Sequence, residues 1–289
     1  MFSSLLVPSD LFSPVPSFPN CLRGAAESGA REVHLVRPLP DPSRSLGAPR
    51  LLKQLADADL EQQKKKLERL GLRVVPHTPR GEPVEAVLQT AYREKADLLV
   101  VSRFSPGLFQ EAVVHPLADA LLHQSTYPLL GLQCGSDETR CRVWPDIFGS
   151  HLLLATDFSP CAAAAAELVG RIVADTRAKV TVVHVRASRG WGSRPTADET
   201  ALSQAERDEL SALEESLRSA GASEVNIRVE AGRPAKRILE IAAETDASLV
   251  VLGTRGHGWA EEMVVGSVAQ HVARHADRAV LLVPGCFEG

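Results

Sequence analysis

The two halves of this chain follow one pattern, since a fixed offset of 151 residues aligns them without a gap. The apolar run at 98–101 is matched by the run at 249–252, and the opening run at 5–10 corresponds to 152–157, although these two lie 147 residues apart. The chain has 289 residues, of which 44% are hydrophobic, so each half can build a core of ordinary size. The repeat therefore predicts a tandem duplication of a single fold.

The polar segment 135–150 lies between two apolar runs and contains Gly135 and Pro145. This composition is typical of a linker. We therefore predict a first domain at 1–134 and a second domain at 151–289, joined by a linker at 135–150.

Each half reads as strands alternating with helices, and its strands are continuous apolar runs. Such runs are typical of parallel strands that are buried on both faces. The predicted fold class is α/β, with two tandem doubly wound domains, each a five-stranded parallel sheet with helices on both faces. Ligands bind such sheets beyond the carboxyl ends of the strands. In the second half the strands are predicted at 152–156, 180–186, 225–230, 248–253 and 279–283.

A glycine-rich segment in the second half reads GTRGHGWAEEMVVGS, with the spacing G-x2-G-x9-G-S. It follows an apolar run and precedes an amphipathic one, so it is predicted to connect a strand to a helix with Ser267 as the N-cap. Gly253 and Gly256 can bring backbone N–H groups close to a phosphate, and Gly266-Ser267 would offer free N–H donors at the positive end of the helix dipole. The segment predicts a polyphosphate site, although three glycines can also serve only a tight, well-packed turn.

Two further segments accompany the glycine loop. An apolar run leads into Ala155-Thr156-Asp157-Phe158-Ser159-Pro160, in which Ser159 can cap a helix and Pro160 suits its first turn. A second strand ends in His184-Val185. Together with the G-x2-G-x9-G-S spacing, these segments resemble the nucleotide-binding branch of the universal stress protein family, over His151 to Pro284.

The resemblance implies a Rossmann-like, adenine nucleotide α-hydrolase-like fold that binds ATP, ADP or AMP, which Mg²⁺ can accompany. It assigns Asp157 a hydrogen bond to the adenosine end and Val185 an apolar contact there. Asp157 as a simple helix cap and Val185 as plain core remain the alternatives. The candidate nucleotide-binding residues are Ala155, Thr156, Asp157, Val185, Leu252, Gly253, Arg255, Gly256, His257, Gly266, Ser267 and Val268.

The first half has lost the glycine loop. The offset places Ser102 at the position of Gly253, Ser105 at that of Gly256, and His115-Pro116 at that of Gly266-Ser267. The serines add side chains where close backbone approach is needed, and Pro116 removes an N–H donor. We therefore expect nucleotide binding only in the second half, with Asp10 either a relic of a former site or a local turn former.

The motifs of common enzyme classes are missing, since no G-x-S-x-G elbow, P-loop or H-E-x-x-H sequence occurs. Glu261 and Glu262 lie in the middle of the glycine loop and are interpreted as solvated. The leading hypothesis is a tandem universal stress protein that binds ATP in its C-terminal domain and acts, without catalysis, as a stress-response sensor or adaptor for an unidentified protein partner. The alternatives are a nucleotide-independent interaction scaffold and a slow ATPase.

Charge and hydropathy exclude other classes of partner. A net charge of −4 and a pI near 6.2 provide no basic field for nucleic acid, and Lys64-Lys65-Lys66 reads as a solvated helix face. The opening residues do not resemble a signal peptide, and no apolar stretch approaches the ~20 residues of a membrane span. We therefore expect a cytoplasmic protein without membrane contact.

Cysteine and histidine patterns carry little functional signal. Five cysteines without a CxxC pair favour free thiols in a reducing compartment. His271 and His275 are spaced i, i+4, but no third ligand lies near them in sequence, so we interpret them as surface or interface histidines.

Each half ends in a short apolar strand, at 129–133 and at 279–283. In the family that this chain resembles, the last strand commonly mediates dimer contact. We therefore expect the two domains to dock through these strands as an intramolecular pseudo-dimer. Association of two chains into a homodimer is compatible with this arrangement but not implied by it.

Overall fold

The computed structural model describes residues 1–9, 18–40, 49–103, 116–133, 142–187, 202–256 and 265–285. The chain divides into two compact units, Met1–Pro145 and Asp146–Glu288. None of the helices described is long and apolar enough to cross a membrane.

The first unit is a five-stranded parallel sheet in the order β3-β2-β1-β4-β5. Its chain reverses winding direction between β1 and β4, as in other doubly wound sheets. The elements are β1 (Ser4–Pro8), α1 (Phe18–Cys21), β2 (Glu32–Val36), α2 (Pro49–Glu68), β3 (Arg73–His77), α3 (Pro83–Arg93), β4 (Leu98–Arg103), α4 (Pro116–Gln124) and β5 (Leu129–Gln133). A short helix, α5 (Trp144–Gly149), contains the boundary between the units.

The second unit has the same topology, with strands in the order β10-β9-β6-β7-β8. The pairings β6 with β7, β7 with β8, β6 with β9 and β9 with β10 are all parallel. The elements are β6 (His151–Thr156), α6 (Pro160–Thr176), β7 (Lys179–Ala187), α7 (Gln204–Ala220), β8 (Val225–Gly232), α8 (Pro234–Glu244), β9 (Leu249–Gly253), α9 (Ser267–His275) and β10 (Ala279–Val283). The predicted Rossmann-like α/β fold, with helices on both faces of a parallel sheet, is confirmed.

Local chemistry explains where the helices of the second unit begin and end. Helix α7 starts with a capping box, in which Ser203 accepts from the Glu206 N–H and Glu206 accepts from the Ser203 N–H. It ends at Gly221, whose φ of 112° lies in the left-handed region that favours glycine. Central strand residues such as Leu152 and Leu153 are fully buried, as expected for strands covered on both faces.

The repeat is less regular than the sequence comparison predicts. Equivalent strand residues are 147 apart in the first two strands, where Leu5 pairs with Val33 and Leu152 with Val180. They are 151 apart in the later strands, where Val74 and Val225 are equivalent. The two halves therefore differ by about four residues between their second and third strands, and the gapless alignment was wrong.

The expectation of free thiols was also wrong for Cys21. Cys21 is disulfide-bonded, whereas Cys161 is a free, buried thiol. Cys134, Cys141 and Cys286 lie outside the described residues. Docking of the domains through their last strands stays a prediction.

Candidate functional site

A cavity of about 290 Å³ opens at the carboxyl ends of β6, β7 and β9 in the second unit. This is the edge of the sheet at which the winding direction reverses, where doubly wound folds bind ligands. The cavity joins two kinds of surface, one of backbone groups from the glycine loop and one of apolar side chains. Its lining consists of Ala155, Thr156, Asp157, Ala162, Val183, Val185, Ala187, Pro234, Ile238, Leu252, Gly253, Thr254, Arg255, Gly256, Gly266, Ser267, Val268 and Ala269.

Side-chain hydrogen bonds between neighbouring residues hold the turn after β6. Thr156 Oγ1 accepts from the Phe158 N–H at 3.1 Å, and Asp157 Oδ1 accepts from the Ser159 N–H at 3.1 Å. Phe158 has a φ of 62°, a strained conformation for a bulky residue. Its ring packs against His184, with centroids 4.6 Å apart, and His184 Nδ1 lies 2.9 Å from the Thr156 carbonyl oxygen. Contacts with β7 therefore hold Asp157 at the mouth of the cavity.

Ser159 links the start of α6 to the glycine loop. Its side chain accepts from the Ala162 N–H and so caps the helix, as the sequence predicts. The same hydroxyl donates to the Arg255 carbonyl oxygen at 3.1 Å. Because Ser159 provides the cap, the alternative interpretation of Asp157 as the helix cap is wrong.

Gly253 is required by packing inside the protein. A Cβ at this position would lie 2.7 Å from the carbonyl carbon and the Cβ of Cys161, and 2.9 Å from the Ala162 nitrogen. Contacts this short do not occur for real Cβ atoms. The glycine therefore lets the end of β9 approach the first turn of α6, which brings the loop to the sheet edge.

Helix α9 begins without a side-chain cap. The N-cap is Gly266, and no side chain among the described residues bonds to the first turn. Its opening N–H groups, from Ser267, Val268 and Ala269, lie at the wall of the cavity and at the positive end of the helix dipole. An anion can satisfy these donors in the way that helix N-termini bind phosphate.

Two sequence predictions about this helix were wrong in detail. Ser267 is the first helical residue rather than the N-cap. The Gly266 N–H is not a free donor, since it donates to the Thr254 carbonyl oxygen at 2.7 Å. Thr254 in turn donates its N–H to the Val283 carbonyl oxygen at 2.9 Å. These two bonds connect both ends of the loop to the sheet.

The other side of the cavity is apolar. Val183, Val185 and Ala187 contribute from β7, while Pro234 and Ile238 contribute from α8. Residues of α8 were not identified from the sequence. The spacing of Pro234 and Ile238 could have identified them, because it puts both residues on one face of the helix that follows β8.

All the predicted site residues that the structure describes line this cavity, including Arg255, which is exposed. His257 lies outside the described residues, as do Glu261 and Glu262. The alternative interpretation of Val185 as plain core does not hold, because its side chain is only half-buried.

The first unit differs at the equivalent places. Ser102 lies in β4, and α4 begins at Pro116, which has no N–H to offer. At the end of β2, Arg37 is 2% exposed and its Nη2 donates to Ser9 Oγ at 2.7 Å and to Asp59. A protein side chain is therefore buried at the carboxyl ends of the strands in this unit. Asp10, Ser105 and His115 lie outside the described residues.

Comparison with known proteins agrees with this description. The pattern of the universal stress protein family matches residues 1–131 and 150–284. A Staphylococcus saprophyticus protein named as a universal stress protein is 35% identical over 111 residues, which are 37% of this chain and 66% of that protein. A Staphylococcus aureus relative with the same name is 32% identical over 138 residues, or 46% of this chain and 82% of that protein.

Solved structures extend the similarity to the full length. A universal stress protein from Archaeoglobus fulgidus is 21% identical and superimposes with a TM-score of 0.76, covering 98% of both chains. A Pseudomonas aeruginosa protein of the same description is 17% identical, with a TM-score of 0.60 over 98% of this chain and 93% of its own. The chain therefore belongs to the universal stress protein family, as a tandem member that carries two copies of its fold.

Proposed function

We propose that the second unit binds one adenine nucleotide, ATP or a close relative, and that the protein acts as a stress-response sensor or adaptor. The observation that carries this proposal is the N-terminus of α9, which no described side chain caps and which lines a cavity that also has an apolar surface. A ligand with a flat apolar ring and an anionic tail matches both walls.

The phosphate end would lie against the backbone of the glycine loop and α9. Ser267, Val268 and Ala269 supply N–H groups, and the Ser267 hydroxyl is exposed beside them. Charge-assisted hydrogen bonds of this kind are stronger than neutral ones and favour a phosphate over a carbonyl. Arg255 lies at the same wall and adds a positive charge to it.

The base and ribose would lie toward β7 and α8. Val185 and Ile238 present apolar surface to an adenine ring, while Asp157 offers a carboxylate that can accept a hydrogen bond from a ribose hydroxyl or the base. The family resemblance implies a hydroxyl group at the position where this chain has Ala269. The loss of one such hydrogen bond costs about 1 kcal/mol, which weakens binding without removing it.

Calorimetry with ATP is expected to give a stoichiometry near one per chain, because only the second unit keeps the glycine loop. Ser102→Ala serves as the control, since Ser102 occupies the position of Gly253 in the first unit. It should leave both stoichiometry and affinity unchanged. A stoichiometry near two would contradict the assignment to the second unit, and no detectable binding of ATP, ADP or AMP would favour a nucleotide-independent scaffold.

ATP turnover is expected to stay below the ~1 to 1000 per second of typical enzymes. Phosphoryl transfer needs metal ligands and a group that positions the nucleophile. Among the described lining residues Asp157 is the one carboxylate, and it already accepts the Ser159 N–H. A steady-state phosphate-release assay tests this expectation. A rate in the enzymatic range that disappears in Gly266→Val would instead identify an ATPase.

A further inference from the structure

Two histidines and a glutamate meet in the first unit, far from the cavity residues in sequence. His34 lies in β2, His77 ends β3, and Glu94 follows the last residue of α3 as its C-cap. His77 lies opposite Val36 in the parallel register, and side chains alternate along a strand. His34 and His77 therefore project from the same face of the sheet.

The three side chains are close enough to share an ion. His34 Nδ1 lies 3.1 Å from His77 Nε2, and one ligand atom from each of the three residues lies within 4.8 Å of the others. Two nitrogens bound to one tetrahedral Zn²⁺ at about 2.0–2.1 Å are themselves roughly 3.3–3.4 Å apart. The two ring nitrogens, which are hydrogen-bonded to each other here, are therefore already close to the spacing that a shared metal requires.

The burial of the His34 ring is a second observation that favours a bound ligand. His34 is 2% exposed, and its Nε2 has no hydrogen-bond partner within the part of the chain that the structure describes. The nearest carboxylate oxygen, Glu32 Oε2, lies 3.9 Å away. A metal on Nδ1 would fix the ring proton on Nε2, directed toward Glu32. Metal-binding histidines typically donate their second ring N–H to a carboxylate in this way.

We propose that His34, His77 and Glu94 form a binding site for a divalent transition metal ion, with Zn²⁺ as the best match. Two imidazoles and one carboxylate are a known ligand set for zinc, in which water completes the tetrahedral shell. Burial lowers the pKa of both histidines, in the direction that favours the neutral ring which a metal binds.

Arg93 competes with the metal for the Glu94 carboxylate. Its Nε donates to Glu94 Oε1 at 2.7 Å, and its Nη2 lies 3.4 Å from His77 Nδ1. The Arg93 side chain is 61% exposed and can turn toward solvent when an ion enters. Removal of its positive charge should therefore strengthen metal binding, whereas removal of a ligand should weaken it.

The full chain, freed of metal with a chelator and of nucleotide by dialysis, would be titrated with Co²⁺ while visible absorption is recorded. We expect one Co²⁺ per chain with the absorption of a tetrahedral site, displaced by Zn²⁺. His77→Gln and Glu94→Gln each remove a direct ligand, so the Kd should rise by more than the ~10- to 100-fold that loss of an outer partner costs. Arg93→Gln should lower it.

His271→Gln is the matched control, because His271 and His275 are exposed, stacked histidines of the second unit that could hold a metal adventitiously. It should leave the Kd unchanged. Circular dichroism without metal checks that each variant folds. His77 and Glu94 are half-buried, so their substitution should disturb the fold less than substitution of the buried His34 would. The same Kd in the unmodified chain, His77→Gln and Glu94→Gln would overturn the proposal, as would a loss of binding in His271→Gln or weaker binding in Arg93→Gln.

Discussion

Gly253→Ala is expected to destabilise the second unit and to abolish its nucleotide binding. The new Cβ would lie 2.7 Å from the carbonyl carbon of Cys161 and 2.9 Å from the Ala162 nitrogen. These are backbone atoms that cannot rotate away, so either β9 or the first turn of α6 must move. Overpacking of this kind costs about 1–3 kcal/mol. Calorimetry should show an unfolding midpoint several degrees lower, because each kcal/mol of destabilisation lowers the midpoint by roughly 2–8 °C.

Gly170→Ala is the matched control for this substitution. Gly170 lies within α6, and a Cβ there would meet only the Ala220 Cβ, at 3.9 Å. Alanine in a helix interior is favoured over glycine by about 0.5–1 kcal/mol, so this variant should be slightly more stable. Equal unfolding midpoints for the two variants would show that the close approach of β9 and α6 does not constrain the site.

Gly266→Val is expected to remove most of the nucleotide affinity while leaving the fold intact. Gly266 has a φ of −71°, which any residue adopts, and the closest atom to an added Cβ is the Thr254 carbonyl oxygen at 3.4 Å. The valine methyl groups would instead occupy the space before α9 where a phosphate is proposed to bind. In a calorimetric titration with ATP the Kd should rise at least 100-fold, which is a loss of about 2.7 kcal/mol of binding free energy.

Two comparisons make the Gly266 result interpretable. Gly266→Ala adds one methyl group at an ordinary contact distance and should lose less affinity than the valine variant. The unfolding midpoint without nucleotide should be nearly equal for both variants and the unmodified chain, whereas its rise with added ATP should shrink in Gly266→Val. Undiminished affinity in Gly266→Val would place the phosphates elsewhere.

Features that depend on neighbouring residues were predictable from the sequence. The strand β10 was predicted at its observed bounds, and the Ser159 cap was found as predicted. These features arise from local hydropathy and from side chains that bond to backbone groups a few residues away. The glycine loop was recognised for the same reason, since its spacing is a local property.

Features that arise from tertiary register were not predictable. The Gly266 N–H donates to the Thr254 carbonyl oxygen, and position 253 must be glycine because Cys161 packs against it. Both facts require the positions of β9, α6 and α9 in space. The pairing of His34 with His77 likewise depends on the register of β2 against β3, which no short sequence window contains.

The proposed site lies in one of the two units only. This asymmetry determines how the fraction of nucleotide-bound protein would change with nucleotide concentration. Helix α4 begins with Pro116, whereas α9 begins with Ser267 and keeps its first N–H group. With one proposed site per chain, a single chain has no second site to couple with, and a Hill coefficient cannot exceed the number of interacting sites. Such a chain would saturate along a hyperbola. Its signal would rise in a graded manner across the range of nucleotide concentrations instead of switching over a narrow interval.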